Sequence, residues 1–281
     1  MMIHHYTSAA VLSEILRSGK IRFRRADLLD DGSEMPFLTS HLNPANYFIS
    51  SWSALPHEHS GLWYRYADQH RGIRITLPVM PFPFRHVTWH WPDRASSEFG
   101  IKLNDAVIPF TTDDMLGEGY LLMPYNDMPV DFAGEVEYVA EPALRVAEIL
   151  TFSASQTITK RPGALGRIKT LEWADQQEYR FVIMAFEAPL LSRRLNSVAY
   201  DCALLELMER RMGAGGAGTG MIAPEVEFID LPVCPNALSS MTVTLGSSIS
   251  VCDRQQILQA VRGTDINVAE SNMVLREPFS D

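Results

Sequence analysis

The sequence is poor in cysteine and has no closely spaced pair. Its only cysteines are Cys202, Cys234 and Cys252, and no C-x-x-C occurs. That argues against a zinc ribbon or a thioredoxin-type redox site and predicts a reduced, cytoplasmic setting. A run of about 18 apolar residues is also missing, so no transmembrane helix and no membrane partner are expected. The start, Met1-Met2-Ile3-His4-His5, lacks a basic segment followed by an apolar run and predicts no secretory leader. An excess of positive charge is absent: the formal net charge is −10, which excludes broad electrostatic attraction to nucleic acid. Lys20, Arg22, Arg24 and Arg25 form one local basic cluster, read as a solvated strand edge, where such side chains are common. No internal repeat is evident.

What remains is the composition of an ordinary globular protein, 46% apolar and 21% charged over 281 residues. That length suffices for a substantial core without covalent staples. Strands are expected at Ile3–Thr7, Lys20–Phe23, Tyr47–Ser53, Ile73–Leu77, Glu135–Val139, from Glu178 onward, Val226–Ile229 and Met241–Leu245. Helices are expected at Ala9–Ser18, capped by Ser8 and ended by Gly19, and at Gly61–His70, Ala143–Ser153, Asn196–Met212 and Asp253–Arg262. Strands and helices interleave without regular alternation, which predicts an α+β fold with a mixed, largely antiparallel sheet core flanked by helices. The expected organisation is a single domain over 1–265, carrying an aromatic- and proline-rich insertion at 78–133 that is irregular over 78–92, and a C-terminal tail at 266–281.

Several motifs are weaker than they look. Gly213-Ala-Gly215-Gly-Ala-Gly218 matches G-x-G-x-x-G, but a helix precedes it and a strand follows, the reverse of a dinucleotide fingerprint, so it reads as a linker. His57-Glu58-His59 lacks a third metal ligand at convincing spacing and reads as an exposed loop. Phe82, Phe84, Trp89 and Trp91 suit either a satellite core or a partner-binding loop. The stretch Trp173-Ala-Asp-Gln176-Gln-Glu178-Tyr-Arg180-Phe-Val-Ile183 is the most informative. Strand alternation places Gln177, Tyr179, Phe181 and Ile183 on one face and Gln176, Glu178 and Arg180 on the other. An amide, an acid and a guanidinium at the mouth of a strand suit a polar ligand; the plainer reading is a salt bridge from Glu178 to Arg180 or a nearby lysine.

His5-Tyr6-Thr7-Ser8, then Ile15-Leu16-x-x-Gly19-Lys20-Ile21, an acidic turn from Asp30 to Glu34, the strand Ile49–Ser53, Trp63-x-x-Tyr66-Ala67-Asp68-x-x-x-Gly72, Trp173 with Glu178-Tyr179-Arg180, and Leu245-Gly246 together resemble an uncharacterised bacterial domain-of-unknown-function family over about residues 3–260. The sequence departs from that pattern in the acidic turn, with Asp30-Asp31-Gly32 in place of Asn-Asp-Pro, and at Gln176, where an acid often stands. The same order of parts is similar to the ADP-ribosyltransferase fold, in which a first strand carries His or Arg, a second carries serine or tyrosine, and a later strand opens with Gln/Glu-x-Glu.

That similarity implies NAD as substrate, with Glu178 accepting a hydrogen bond from the nicotinamide-ribose 2′-hydroxyl and stabilising an oxocarbenium-like state. It implies that His5, beside Tyr6 and Thr7, orients the adenosine ribose, and that Ser51 or Ser53 supports Glu178 or the sugar. Trp63 or Tyr66 would stack on nicotinamide, and Gln176 would position an acceptor, either protein or nucleic acid. No metal is required by that chemistry. Two alternatives stand beside it: a non-enzymatic protein-binding module of a bacterial defence or toxin system, and a hydrolase using Asp30, Asp31 and Glu34 with a divalent metal.

Overall fold

The computed structural model describes residues 1–35, 42–92, 101–125, 127–152, 157–159, 161–212 and 222–274. The chain opens with β1 (Met2–Thr7), α1 (Ala9–Ser18), β2 (Lys20–Arg25), β3 (Tyr47–Ser53), α2 (Ser60–Tyr66) and β4 (Ile73–Pro78). β5 (Arg85–Trp91) and β6 (Ile101–Ile108) form a separate antiparallel hairpin. Then come β7 (Leu116–Gly117), β8 (Tyr120–Met123), β9 (Ala133–Glu135) and β10 (Glu137–Val139), followed by a small ribbon of β11 (Leu150–Phe152) and β12 (Thr157–Thr159). β13 (Ile168–Thr170) pairs in parallel with β10 outside the main sheet. β14 (Glu178–Glu187), β15 (Phe228–Pro232), β16 (Thr242–Leu245) and β17 (Asn267–Glu270) complete the strands.

Among the described residues, eleven strands form one sheet in the order β17-β16-β4-β1-β3-β14-β8-β7, with β2 and β15 joining at β3 and β9 at β14. Only the β16–β17 pairing in that sheet is parallel, so the protein is α+β with a largely antiparallel sheet flanked by helices. α1 forms because Leu12 and Ile15 give it one buried stripe. It ends because Gly19 adopts φ 65° and returns its N–H to the Ile15 carbonyl. Ser8 sits at the N-cap, but its hydroxyl makes no capping bond.

Register divides the two central strands into unlike faces. Phe48, Trp52, Tyr179, Phe181 and Ile183 belong to one continuous apolar core, joined by Leu12, Ile15, Ile75 and Val243. On the opposite face, Tyr47, Ile49 and Val182 belong to a second apolar cluster, and Tyr6, Leu55, Leu62 and Trp63 to a third. Between those two clusters lie Ser51, Ser53, Glu178 and Arg180, paired Glu178 with Ser53 and Arg180 with Ser51. A polar strip thus interrupts the apolar packing of one face.

The structure corrects several expectations. Gln177 does not share a strand face with Tyr179: it takes φ 42° between a short 3-10 turn (Leu171–Gln176) and the start of β14. The helix from residue 60 stops at Tyr66, short of His70, because Asp68, Gln69 and His70 all take positive φ (47°, 53° and 69°), each costing about 1–2 kcal/mol. Packing fixes that turn. A Cβ on Gly72 would lie 2.2 Å from the Thr7 carbonyl oxygen, and one on Gly246 would lie 2.1 Å from that of His70. The insertion expected at 78–133 is partly regular among its described residues: it holds the β5–β6 hairpin and two strands of the main sheet, and Phe82 and Trp91 enter the main core. Nor is 266–281 wholly a tail, since β17 extends the sheet and Met273 packs against the third cluster. The glycine-rich stretch 213–220 lies outside the described residues.

Candidate functional site

β3 meets two strands along one edge. It pairs with β1 at Ser53, opposite His4, and with β2 at Ile49 and Phe48, opposite Arg24 and Arg25. Between those points, beside Ser50–Trp52, β1 and β2 part. His5 bridges the parting with its side chain: its Nδ1 lies 3.0 Å from the Ser51 carbonyl oxygen. A carbonyl only accepts, so the bond fixes the Nδ1–H tautomer of the neutral ring and leaves Nε2 as an acceptor. Burial lowers the His5 pKa, partly opposed by that hydrogen bond, and so favours the neutral ring.

A cleft of about 410 Å³ opens through this fork and touches His5, Ser51, Tyr66, Trp173, Gln176 and Glu178. Lys20, Arg22 and Arg24 of β2 line it as well. The basic cluster expected to be a plain strand edge therefore borders the cleft, although Arg22 is tied to Asp230 at 3.0 Å.

At the inner end of the cleft four charged side chains are buried together, none more than 7% exposed. Arg180 holds Glu34 with two bonds of 2.8 Å and Glu178 with one of 2.7 Å. Lys169 bridges the same two carboxylates, 3.0 Å from Glu34 and 2.7 Å from Glu178. Tyr138 Oη accepts the Glu178 N–H at 2.8 Å. Burial alone would raise the Glu178 pKa, but the charges and hydrogen bonds of Arg180 and Lys169 outweigh it and hold the carboxyl below its ordinary value. The acid is thus ionised at neutral pH, inside a group whose four formal charges sum to zero.

The sequence-predicted residues divide accordingly. Gln176 is 1% exposed. Its satisfied amide orientation donates to Glu178 Oε1 at 2.8 Å and accepts from Arg65 Nη1 at 2.7 Å and Tyr66 Oη at 3.2 Å. His5, Ser51 and Tyr66 line the cleft, as do Tyr6 and Thr7. The Tyr6 hydroxyl, however, accepts the His59 N–H, and its ring lies edge-on to Trp63. Ser53 also borders the cleft, but its hydroxyl donates to the Gln176 carbonyl at 2.8 Å. It clamps the turn before Glu178 rather than facing a ligand. Trp63 is corrected outright: it is 0% exposed and donates Nε1–H to Glu58, so its ring offers no face for stacking. By strand alternation His5 shares the face of Trp52, its ring 5.1 Å away, while His4 shares the row of Ser53 and Glu178. His5 and Glu178 both reach the cleft because it passes through the sheet.

Glu58 accepts from Trp63, from the Asn272 N–H and from the Ser271 hydroxyl, so its place is to anchor the segment after β17. Among the described residues no group of three potential metal ligands converges, and Glu34 of the acidic turn points to Arg180 and Lys169. The salt bridge expected from Glu178 to Arg180 or a nearby lysine forms to both Arg180 and Lys169. Sequence reasoning missed Glu34 as the second carboxylate on those cations and Trp173 as a cleft wall. Trp173 alone carried a signal, its place in the Trp-Glu-Tyr-Arg segment. Among the described residues no helix is long and apolar enough to cross a membrane. No protein family, curated protein or solved structure matches this chain.

Proposed function

We propose that the protein binds NAD in this cleft and cleaves its nicotinamide–ribose bond, as an ADP-ribosyltransferase or NAD glycohydrolase. One observation carries the reading: the strands bearing His5, Ser51 and Glu178 are consecutive neighbours, and a single cleft of about 410 Å³ is lined by all three residues. In the reaction the C1′–N bond breaks with its electron pair on the nicotinamide nitrogen, cancelling the ring's charge. Positive charge develops on the ribose, as in glycoside cleavage. The ionised Glu178 supplies the stabilising anion. His5 Nε2 accepts from a ribose hydroxyl, and the Tyr66 ring offers a stacking face worth about 1 kcal/mol. Asp31 Oδ2, a buried acceptor of the cleft wall with no partner among the described residues, suits a second hydroxyl. Water, or a nucleophile of a protein or nucleic-acid acceptor, then bonds to C1′ and releases its proton. The free thiols of Cys202, Cys234 and Cys252 fit a reducing, cytoplasmic setting.

A non-enzymatic binding module is the second reading. It is favoured by the neutral sum of the buried charges and by the engagement of both Glu178 oxygens. Thermal denaturation with NAD separates the two. NAD at 100 times its Kd adds about 2.7 kcal/mol of stability on the first reading and nothing on the second. Consumption of labelled NAD, lost in Glu178→Gln while the variant stays folded, completes the test. Unchanged turnover in that variant discards the assignment.

A further inference from the structure

Arg180 alone already pairs both buried carboxylates, and it does so from β14 at the centre of the main sheet. Lys169 is a second cation on the same two groups, and it enters from β13, outside that sheet. Its ammonium also lies 4.3 Å from the centre of the Trp173 ring. Two carboxylates and an aromatic face make up a receptor for an organic cation, and here the protein's own side chain fills it. Trp173 is half-buried, and both Trp173 and Lys169 line the cleft. The occupant is thus at the boundary between interior and ligand space. Withdrawing it unpairs no strand of the main sheet, whereas withdrawing Arg180 would strip both carboxylates of their central partner.

We propose that the Lys169 position is a pyridinium site: the ammonium holds the place of the positively charged nicotinamide ring of oxidised NAD and gives way when that ring enters. The inference rests on the NAD reading for its natural ligand, though not for its test. It makes Lys169 and Trp173 specificity residues that favour the oxidised dinucleotide over the reduced one, whose ring is uncharged. It also resolves the neutrality of the buried group. With Lys169 in place, Glu34, Glu178, Lys169 and Arg180 sum to zero. With Lys169 withdrawn the remainder carries −1, and Glu178 faces the developing ribose cation with an uncompensated charge. Once the glycosidic bond breaks, the departing nicotinamide is neutral, and the ammonium can return and displace it.

The test compares two probes on the full chain by calorimetry: the ring-N-methylated nicotinamide cation and nicotinamide itself, nearly the same shape without the charge. The cation is expected to bind roughly tenfold tighter. Lys169→Met, which keeps the apolar stem and removes the competing ammonium, is expected to raise the affinity for the cation by a further tenfold or so. Trp173→Leu leaves the four charges in place, keeps the test open if Lys169→Met does not fold, and is expected to erase the preference. Equal affinity for the two probes, no binding of either, or an unchanged preference in Trp173→Leu overturns the proposal. Cation-selective binding without any binding of NAD would keep the pyridinium site and discard the NAD reading. NAD consumption without cation selectivity would do the reverse.

Discussion

On one face of the central sheet Phe48, Phe181 and Ile183 sit in a continuous apolar core, while one residue away along the same strands Ser51, Ser53, Glu178 and Arg180 interrupt the packing of the other. Both faces are buried, yet they solve burial differently. The first excludes water with rings: Phe181 lies 4.9 Å from Phe82 and 5.4 Å from Phe132, centre to centre. The second desolvates four charges and recovers the loss only through close pairing. A buried ion pair is frequently no more stable than apolar groups of the same volume. Stability alone therefore gives little reason for the polar strip, and its position at the end of a cleft supplies one.

The comparison can be broken most forcefully at neighbouring residues. Phe181→Ala and Arg180→Ala should each destabilise by about 3–5 kcal/mol, the first by opening a cavity and the second by leaving carboxylates without their main partner. The contrast appears on wholesale replacement. Exchanging Glu34 and Glu178 for Gln together with Lys169 and Arg180 for Met should restore most of what Arg180→Ala loses. No apolar-to-polar exchange around Phe181 should do so. Denaturant midpoints decide it, and a quadruple variant as unstable as Arg180→Ala would mean that the strip is structural.

Acid sharpens the comparison next, because His4 and Glu178 lie on the face of the polar strip. Burial, aided by the charge of Arg74, lowers the His4 pKa from 6.5 to about 4. The unfolded chain therefore takes up a proton first. Stability should be full above pH 6.5 and fall as the pH drops toward 4. His4→Gln should make that limb shallower, leaving the contributions of His5 and His70, whose pKa values burial also lowers. A second loss should follow below the ordinary glutamate value of 4.5, as Glu178 protonates at its lower folded pKa. Stability curves against pH, with imidazole resonances followed by NMR, check both limbs. The smallest effect belongs to Tyr138→Phe, which removes the acceptor for the Glu178 N–H and should cost about 1 kcal/mol by thermal denaturation.

Much of the scaffold was legible because its signals are local. The stripe of Leu12 and Ile15 and the stop at Gly19 marked α1, and the bounds of β3 were read correctly as Tyr47–Ser53. Glu178 stood out as an acid opening an apolar strand, and His5, Ser51 and Tyr66 do meet it around one cleft. The plainer reading, a salt bridge from Glu178 to Arg180 or a nearby lysine, is what forms, with Lys169 as that lysine. The second carboxylate on the same two cations was not legible, because pairing over a long span leaves no local pattern. Glu34 lies 146 residues from Arg180, and Lys169, the lysine left unnamed, sits on a strand of only three residues. Trp63 and Tyr66 look alike on a helical wheel, and only the third apolar cluster decides which is enclosed. β17 escaped notice because its four residues, Asn-Val-Ala-Glu, carry almost no periodic signal.

At the fork, the Ser51 carbonyl is tied to an imidazole instead of to a neighbouring strand. Elsewhere along β3, widening the gap between neighbours means unzipping main-chain pairs. Here the tie across the gap, among the described residues, is that imidazole hydrogen bond. The cleft is therefore bounded at this point by one side-chain hydrogen bond in place of a main-chain ladder.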